Sequence, residues 1–246
     1  MKKLLLSVFL ACIPGLLSAA PEAIETLQIG AQKYSVYTVN PKLQNLGLYW
    51  KDSSGKIYNS FRGLETGLKK QGLRVDFATN AGIYEEGAIP TGLLMIGGET
   101  ILPLNLNPGR GNFFLNPNGV FLLSKGKPYV MTTQEWLEFK HPIDFATQSG
   151  PMLVIDGKIH PAFTEGSSSK YIRSGVGINS NGLVSFIISR QPVNFYDFAR
   201  VFKENLGCKN ALYLDGSISK FYERGTVRLP ESGENFAAFF AVTSPL

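Results

Sequence analysis

Cysteine and histidine are nearly absent from this chain. Its 246 residues include two cysteines, Cys12 and Cys208, and two histidines, His141 and His160. The histidines lie beside prolines and share no ligand spacing, so the usual zinc motifs are excluded. The carboxylates leave room for a divalent cation, but they match no EF-hand spacing and their positions in sequence place no such ion.

The sequence also lacks the motifs of several large enzyme classes and a strong charge bias. It contains no P-loop, no Rossmann glycine fingerprint and no G-x-S-x-G nucleophile elbow. The formal charge is +5, or +3 once Lys2 and Lys3 are removed, and the charged residues are dispersed. No basic stripe with interleaved aromatic residues is present, so the sequence predicts no nucleic-acid partner.

Long apolar runs are absent apart from one short run at the N-terminus. Lys2 and Lys3 precede an apolar segment at 4–13, and Ser18-Ala19-Ala20 provides small residues for cleavage. This order is typical of a secretory signal peptide. We therefore predict a cleaved signal over residues 1–20, a mature domain over 21–246 and a periplasmic or secreted location.

The predicted cleavage bears on membrane attachment and on disulfides. The stretch Phe9-Leu10-Ala11-Cys12 faintly resembles a lipoprotein site, but the apolar run before it is very short. Cleavage after Ala20 would leave Cys208 as the one cysteine, so the mature chain could form no internal disulfide. No membrane span is predicted in the mature chain, and about 226 residues suffice for one packed domain.

Most of the mature sequence consists of short β-rich segments between glycine, asparagine and proline turns. Strands and helices do not alternate regularly, which favours an α+β fold with a mixed, largely antiparallel sheet core and a few helices in a single domain. Asp156-Gly157 and Asn181-Gly182 are typical of hairpin turns. The predicted strands are 34–39, 46–50, 73–78, 93–96, 120–123, 152–155, 183–188 and 236–242, and the predicted helices are 60–71, 133–139 and 195–206.

The most informative segment ends in a carboxylate at a turn. Asn194 is a suitable N-cap for a helix with an apolar face, and Gly207 suits the position just after its C-terminus. The buried strand that follows delivers Asp215 and Gly216 to its end. Active sites often present polar groups in this way, yet Asp-Gly is also a common dipeptide of purely structural turns, and both interpretations stay open.

Three other segments end in polar, glycine-containing turns. Asn80 and Gly82 follow one predicted strand, and the run Gln148-Ser149-Gly150 precedes another. Arg173 stands just before a run of small residues, where its planar guanidinium could bind a phosphate in bidentate fashion. A structural salt bridge is the alternative role for Arg173. Together the four segments predict one polar cleft.

At these residues the chain resembles the phosphodiester glycosidase family. The resemblance extends from about residue 73 to 242 and keeps the order of its motifs. Residues 111–121 resemble the bacterial branch, often described only as a domain of unknown function. The matching runs are Thr79-Asn80-Ala81-Gly82-Ile83-Tyr84, Pro90-Thr91-Gly92-Leu93, residues 150–157, Arg173-Ser174-Gly175-Val176-Gly177-Ile178 and residues 206–216.

The resemblance implies an enzyme and a set of site residues. The best-known family members are lysosomal uncovering enzymes, which remove N-acetylglucosamine from a phosphodiester-linked sugar. It implies an exported hydrolase that cleaves a glycosidic bond to a phosphodiester in a glycan or glycoconjugate, with a carbohydrate or sugar-phosphodiester substrate. The implied residues are Asp215 as catalytic base or nucleophile, Arg173 as phosphate ligand, Asn80, Gln148 and Ser219 as hydrogen-bonding groups, and Gly82, Ser149, Gly150 and Gly216 as further substrate-binding positions.

One departure from the family pattern supports a second hypothesis. The family usually carries Leu-Asp-Gly-Gly-Gly-Ser, whereas Ser217-Ile218-Ser219 follows Asp215-Gly216 here. Serine and isoleucine restrict the backbone and add bulk where the family has glycine. The alternative function is therefore a non-catalytic glycan- or envelope-binding module on the same scaffold.

Overall fold

The computed structural model describes residues 23–216, 219–225 and 235–246, so the predicted signal peptide lies outside the described residues. The helices are α1 (Phe61–Lys69), α2 (Thr133–Glu138) and α3 (Phe195–Arg200), with a 3-10 turn at Asn112–Phe114 and a π turn at Val201–Asn205. The strands are β1 (Glu25–Ile29), β2 (Gln32–Val39), β3 (Asn45–Tyr49), β4 (Leu73–Asn80), β5 (Tyr84–Glu85), β6 (Ile89–Pro90), β7 (Leu94–Ile96), β8 (Glu99–Leu102), β9 (Gly119–Ser124), β10 (Lys127–Thr132), β11 (Phe145–Ser149), β12 (Met152–Ile155), β13 (Lys158–Ile159), β14 (Ser174–Ile178), β15 (Val184–Ser189), β16 (Ala211–Asp215), β17 (Phe221–Glu223) and β18 (Phe239–Pro245).

The strands form three larger sheets and one small hairpin. The seven-stranded sheet has the order β1-β2-β15-β14-β16-β12-β13, and the five-stranded sheet has the order β10-β9-β11-β7-β8. The four-stranded sheet has the order β17-β4-β18-β3, and β5 pairs with β6. Each of these pairings is antiparallel, which confirms the predicted α+β class with a largely antiparallel core.

The three larger sheets bury their inner faces in one central core. Phe121 of the five-stranded sheet, Phe186 of the seven-stranded sheet and Phe240 of the four-stranded sheet are fully buried there. Their ring centroids lie 5.1–6.1 Å apart, in the range that favours tilted and edge-to-face aromatic pairs. This packing fixes the sheets relative to one another, because moving any one of them would open space between large rings.

The helices cover the outer faces of the sheets, and their N-termini follow local capping rules. The Ser60 hydroxyl accepts a hydrogen bond from the Gly63 amide at the start of α1, and Thr132 forms a capping box with Glu135 at α2. The predicted cap at Asn194 is confirmed, since its side chain accepts from the Asp197 amide at 2.8 Å.

The predicted helix over 195–206 differs from the structure in its second half. The α-helix ends at Arg200, and the chain continues through the π turn as far as Asn205. Phe198 and Phe202 both stay fully buried, so the wider turn preserves the apolar face that the sequence pattern indicated. Gly207 has a φ of 64°, the left-handed conformation expected for a glycine that ends a helix.

The two predicted hairpins are present, with different turns. Asp156 and Gly157 have φ values of 48° and 75° and form a two-residue turn between β12 and β13. Asn181 and Gly182 lie within a longer loop of residues 179–183 between β14 and β15. The strand predicted from Phe236 in fact begins at Phe239, because Phe236 forms only an isolated bridge with Asn59.

In the described part of the chain, no helix is long and apolar enough to cross a membrane. Cys208 is buried as a free thiol behind the seven-stranded sheet. The Ser174 hydroxyl, at the N-terminal end of β14, bonds Asn80 at the C-terminal end of β4 and Asp215 at the C-terminal end of β16. Three of the predicted polar turns therefore adjoin one another.

Candidate functional site

The Ser174 hydroxyl joins three of the polar segments. It accepts a hydrogen bond from the Asn80 side-chain amide at 3.2 Å and donates one to the Asp215 carbonyl at 3.0 Å. It also accepts from the Asp215 amide at 3.2 Å. Asn80 and Ser174 are almost fully buried, so the main chain of Asp215 is fixed by groups that are themselves held in place.

The Asp215 turn is closed by its own neighbours. The Gly216 amide donates to the Asp215 carboxylate, and the Ser219 hydroxyl donates to the Asp215 carbonyl at 2.8 Å. Asp215 is half-buried at the end of β16. Ser217 and Ile218, the departure from the family pattern, lie outside the described residues.

Arg173 is the largest fully buried side chain in the described residues. Its Nε donates to the Val193 carbonyl at 2.8 Å, and one terminal nitrogen donates to the Ser169 carbonyl at 3.2 Å. Its guanidinium carbon lies 3.6 Å from the ring centroid of Phe195. No carboxylate of the described residues forms an ion pair with it, so the salt-bridge alternative is not observed there.

Burial of Arg173 leaves a cation that no carboxylate of the described residues pairs with. Burial lowers the pKa of Arg173, although the guanidinium stays protonated in proteins. A buried charge is costly unless it is paired, and carbonyl oxygens and rings compensate only part of that cost. An anionic ligand that reached this guanidinium would therefore be favoured electrostatically.

Tyr213 links Arg173 to the Asp215 turn, and sequence reasoning missed it. Tyr213 and Asp215 are alternate residues of β16, and a Cβ on Gly216 would collide with the Tyr213 hydroxyl. Burial raises the pKa of Tyr213, the charge of Asp215 raises it further, and Arg173 and Asn112 lower it through hydrogen bonds. The spacing of two in a strand that ends at Asp215 is the signal that could have indicated Tyr213.

Gln148 is engaged by the protein itself. Its side-chain oxygen accepts from the Leu93 and Asn105 amides at 3.1 and 2.9 Å, and its nitrogen donates to the Asn105 carbonyl at 2.7 Å. These bonds tie the loop after β8 to β11. The structure therefore places the Gln148 amide against that loop, and substrate binding by Gln148 stays a prediction.

The remaining predicted positions lie between these groups as closely packed backbone. Gly82 packs against the Gln148 carbonyl and the side chain of Ser149, whose hydroxyl donates to the Leu214 carbonyl at 3.2 Å. Gly150 packs so tightly on the Phe113 carbonyl that a side chain would not fit. These positions connect the turn after β4, the end of β11 and the end of β16.

The loop that carries Asn112 towards Tyr213 is held by His160. The Nδ1 of His160 accepts from the Ala162 amide at 3.2 Å, so its Nε2 must carry the proton and donates to the Asn116 carbonyl at 3.0 Å. Burial lowers the pKa of His160, and the hydrogen bond to Asn116 opposes this effect. His160 is therefore neutral in the native loop.

This arrangement predicts a loss of stability in acid. As the pH falls below about 6.5, His160 binds a proton in the unfolded chain but not yet in the folded chain. The free energy of unfolding should therefore decrease between that pH and the lower pKa of His160 in the folded protein. Urea unfolding at pH 7.5 and pH 5.0 measures the change. His160→Gln should reduce the pH dependence, whereas His141→Gln, at an exposed histidine, should leave it as in the parent protein. Equal pH dependence in the parent and His160→Gln would contradict the assignment.

No cluster of three histidine, cysteine, aspartate or glutamate side chains suited to a metal ion occurs among the described residues. The geometry consists of a carboxylate at a strand end, a buried guanidinium and a phenol that interacts with both, on an antiparallel β framework.

Comparison with known proteins gives the family. The family model described as phosphodiester glycosidase matches residues 74–237, and the chain belongs to this family. The uncharacterized protein YigE of Escherichia coli (strain K12) is 41% identical over 189 residues, which cover 77% of this chain and 74% of YigE.

Solved structures show the same fold at low sequence identity. The zebrafish N-acetylglucosamine-1-phosphodiester alpha-N-acetylglucosaminidase catalytic domain, auto-inhibited by pro-peptide, has a TM-score of 0.61 at 15% identity. The match covers 89% of this chain and 81% of the zebrafish chain. A hypothetical protein from Synechocystis has a TM-score of 0.55 at 15% identity, over 89% of this chain and 61% of that one.

Proposed function

We propose that this protein is an exported hydrolase that cleaves the bond between a sugar and a phosphodiester in a glycan or glycoconjugate. Membership of the phosphodiester glycosidase family supports the reaction class. The observation that carries the proposal is that Tyr213 interacts with both Arg173 and Asp215, while Ser174, the residue after Arg173, pairs with Asp215 across β14 and β16. A buried cation and a half-buried carboxylate thus lie at one strand end.

The chemistry of the proposed reaction suits this set of groups. When the bond between the sugar and the bridging phosphate breaks, the phosphate leaves as a stabilised monoester anion, so its departure needs little protonation. The site then needs charge stabilisation on the phosphate side and one carboxylate on the sugar side, in place of the paired carboxylates of most glycosidases. Arg173 would stabilise the leaving phosphate. Asp215 would either deprotonate the water that attacks the anomeric carbon, or attack that carbon itself to form a glycosyl-enzyme that water then hydrolyses.

The other site residues act mainly by positioning. Asn80 and Ser174 hold the main chain of Asp215 through the bonds described above, and Ser219 holds it from the other side. Tyr213 holds the guanidinium next to the turn. In this proposal Gln148 keeps the loop after β8 in place, since its amide is bonded to that loop.

Hydrolysis of an aryl phosphodiester of N-acetylglucosamine by the purified mature protein tests the function. Release of free sugar, absent in the Asp215→Asn variant, is the expected result. Saturable binding of this compound without turnover would instead support a non-catalytic glycan-binding module, the alternative raised by Ser217 and Ile218. If the protein neither binds nor hydrolyses this compound and related sugar phosphodiesters, that result would contradict both functions.

Export is the second part of the proposal. The predicted signal peptide over residues 1–20 supports it. Mass spectrometry of the protein from a periplasmic extract or the medium should show an N-terminus at Pro21. A full-length cytoplasmic chain, or a lipid on Cys12, would contradict it.

A further inference from the structure

A cavity of about 590 Å³ opens beside the β5–β6 hairpin. Its volume lies within the range of small-molecule sites. Its walls come from the hairpin and from two segments packed beside it, and the lining residues are Ile57, Asn59, Tyr84, Glu85, Glu86, Gly87, Ala88 and Asn235. None of these residues belongs to the set predicted for the reaction.

The cavity lies at the same end of the four-stranded sheet as the Asp215 turn. Strand β4 ends at Asn80, and the amide of the next residue, Ala81, donates a hydrogen bond to the Ala238 carbonyl. Close to it in sequence, the Phe236 amide donates to the carbonyl of Asn59, a residue of the cavity wall. Tyr84 forms part of the cavity wall, and besides its burial the charge of Asp215 raises its pKa. Asn80, at the end of β4, donates to the Ser174 hydroxyl that bonds Asp215, and the segment after Asn80 continues into the cavity wall at Tyr84.

The wall of the cavity carries polar groups that the described part of the protein leaves unused. The exposed side-chain amides of Asn59 and Asn235 form no hydrogen bond with the described residues, and Glu85 and Glu86 form no ion pair with them. Amides donate and accept hydrogen bonds, and carboxylates accept them, so this set complements hydroxyl groups. Two adjacent carboxylates also repel an anionic ligand.

The cavity and the surroundings of Arg173 carry charges of opposite sign. Arg173 provides a buried cation next to the Asp215 turn, and Glu85 and Glu86 provide anions at the cavity. A sugar phosphodiester has the matching asymmetry, with one anionic part and one hydroxyl-rich part. The charges therefore favour a single orientation of such a substrate.

Building on the proposed function, we propose that this cavity is the subsite for an uncharged or cationic sugar unit of the substrate, and that Glu85 and Glu86 exclude anionic sugars from it. The phosphate then lies towards Arg173. The scissile bond lies between the two, at Asp215.

Trp50 reports on this cavity. Its indole N–H donates to the Ala88 carbonyl at 3.1 Å, on the hairpin that forms the cavity wall. The sequence contains one other tryptophan, Trp136, which lies at α2. A Trp136→Phe background therefore leaves a single fluorophore that contacts the cavity wall.

The experiment titrates this single-tryptophan protein with N-acetylglucosamine, glucosamine and glucuronate at low ionic strength. We expect saturable changes in Trp50 emission with the first two, and binding of glucuronate weaker by about fivefold or more, as one close pair of like charges produces in water. In the double variant Glu85→Gln/Glu86→Gln, glucuronate and N-acetylglucosamine should bind with similar affinity. Glu99→Gln/Glu138→Gln, which also removes two negative charges, from exposed positions on β8 and α2, should keep the discrimination.

The outcomes separate this subsite from the reaction. Equal binding of all three sugars, or discrimination that survives Glu85→Gln/Glu86→Gln, would overturn the charge assignment. No response to any sugar, in a protein that hydrolyses the aryl phosphodiester, would overturn the subsite while the proposed function stands. Sugar binding with this selectivity but without hydrolysis would support the subsite and contradict the hydrolase.

Discussion

Replacing Asp215 by asparagine is expected to lower kcat by about a hundredfold or more, since general acid–base steps contribute at least that much. The asparagine oxygen can still accept the Gly216 amide, and Ser174 and Ser219 bond only the main chain of this residue. The melting temperature should therefore stay close to that of the parent protein. Initial rates with the aryl phosphodiester substrate, together with a melting curve, measure both effects.

The chain contains a matched control for this substitution. Asp156 also precedes a glycine at a turn, but it lies exposed in the β12–β13 hairpin. Asn-Gly suits that two-residue turn as well as Asp-Gly does, so Asp156→Asn should retain full activity and stability. A folded Asp215→Asn protein with the activity of Asp156→Asn would refute the catalytic role.

Replacing Arg173 by lysine should produce the second large effect, on stability and substrate binding together. Lysine keeps the charge but cannot reproduce the fork that reaches the Val193 and Ser169 carbonyls, or the stacking on Phe195. Leaving a buried carbonyl unsatisfied costs roughly 1–3 kcal/mol of unfolding free energy. If Arg173 binds the phosphate as proposed, KM for a sugar phosphodiester should rise about tenfold or more, because lysine cannot make the bidentate contact.

Two further variants separate the structural effect of Arg173 from its effect on the phosphate. Arg200→Lys makes the same exchange in an exposed pair with Glu204, where an ion pair contributes little, so stability and kinetics should both stay close to those of the parent protein. Tyr213→Phe keeps the ring beside Arg173 and removes only the hydroxyl. It should lower kcat while most of the stability remains. Unchanged KM in a stable Arg173→Lys protein would exclude a phosphate contact.

Local structure was predictable where a short segment contains its own partners. The caps at Ser60 and Asn194 bond amides three residues along the chain, and the Asp156 hairpin closes on itself. The predicted helix over 195–206 was less accurate, because packing against the sheet decided that its last turn widened. Strand β18 begins later than predicted because Phe236 pairs with Asn59 in an isolated bridge and not with a strand of the sheet.

The candidate site was predictable as a set of residue types, and its connections were not. Asp215, Asn80 and Arg173 stood out because polar residues end apolar segments at glycine-containing turns. Nothing in the sequence indicated that one hydroxyl, that of Ser174, would bond both Asn80 and Asp215 across separations of 94 and 41 residues. Gln148 appeared equivalent to the others, yet its partners lie 43–55 residues away, at Asn105 in the loop after β8 and at Leu93 before β7.

The sequence alone determined the apolar pattern of the strands, the positions of the caps and turns, and the supply of one carboxylate at the end of a buried strand. These depend on residues within a few positions of one another. Only the tertiary structure decided that Tyr213 interacts with both Arg173 and Asp215, and that Glu85 and Glu86 line a cavity at the same end of the four-stranded sheet. The reason is physical: strand register and the packing of three sheets around Phe121, Phe186 and Phe240 set these distances, and both depend on contacts between distant parts of the chain.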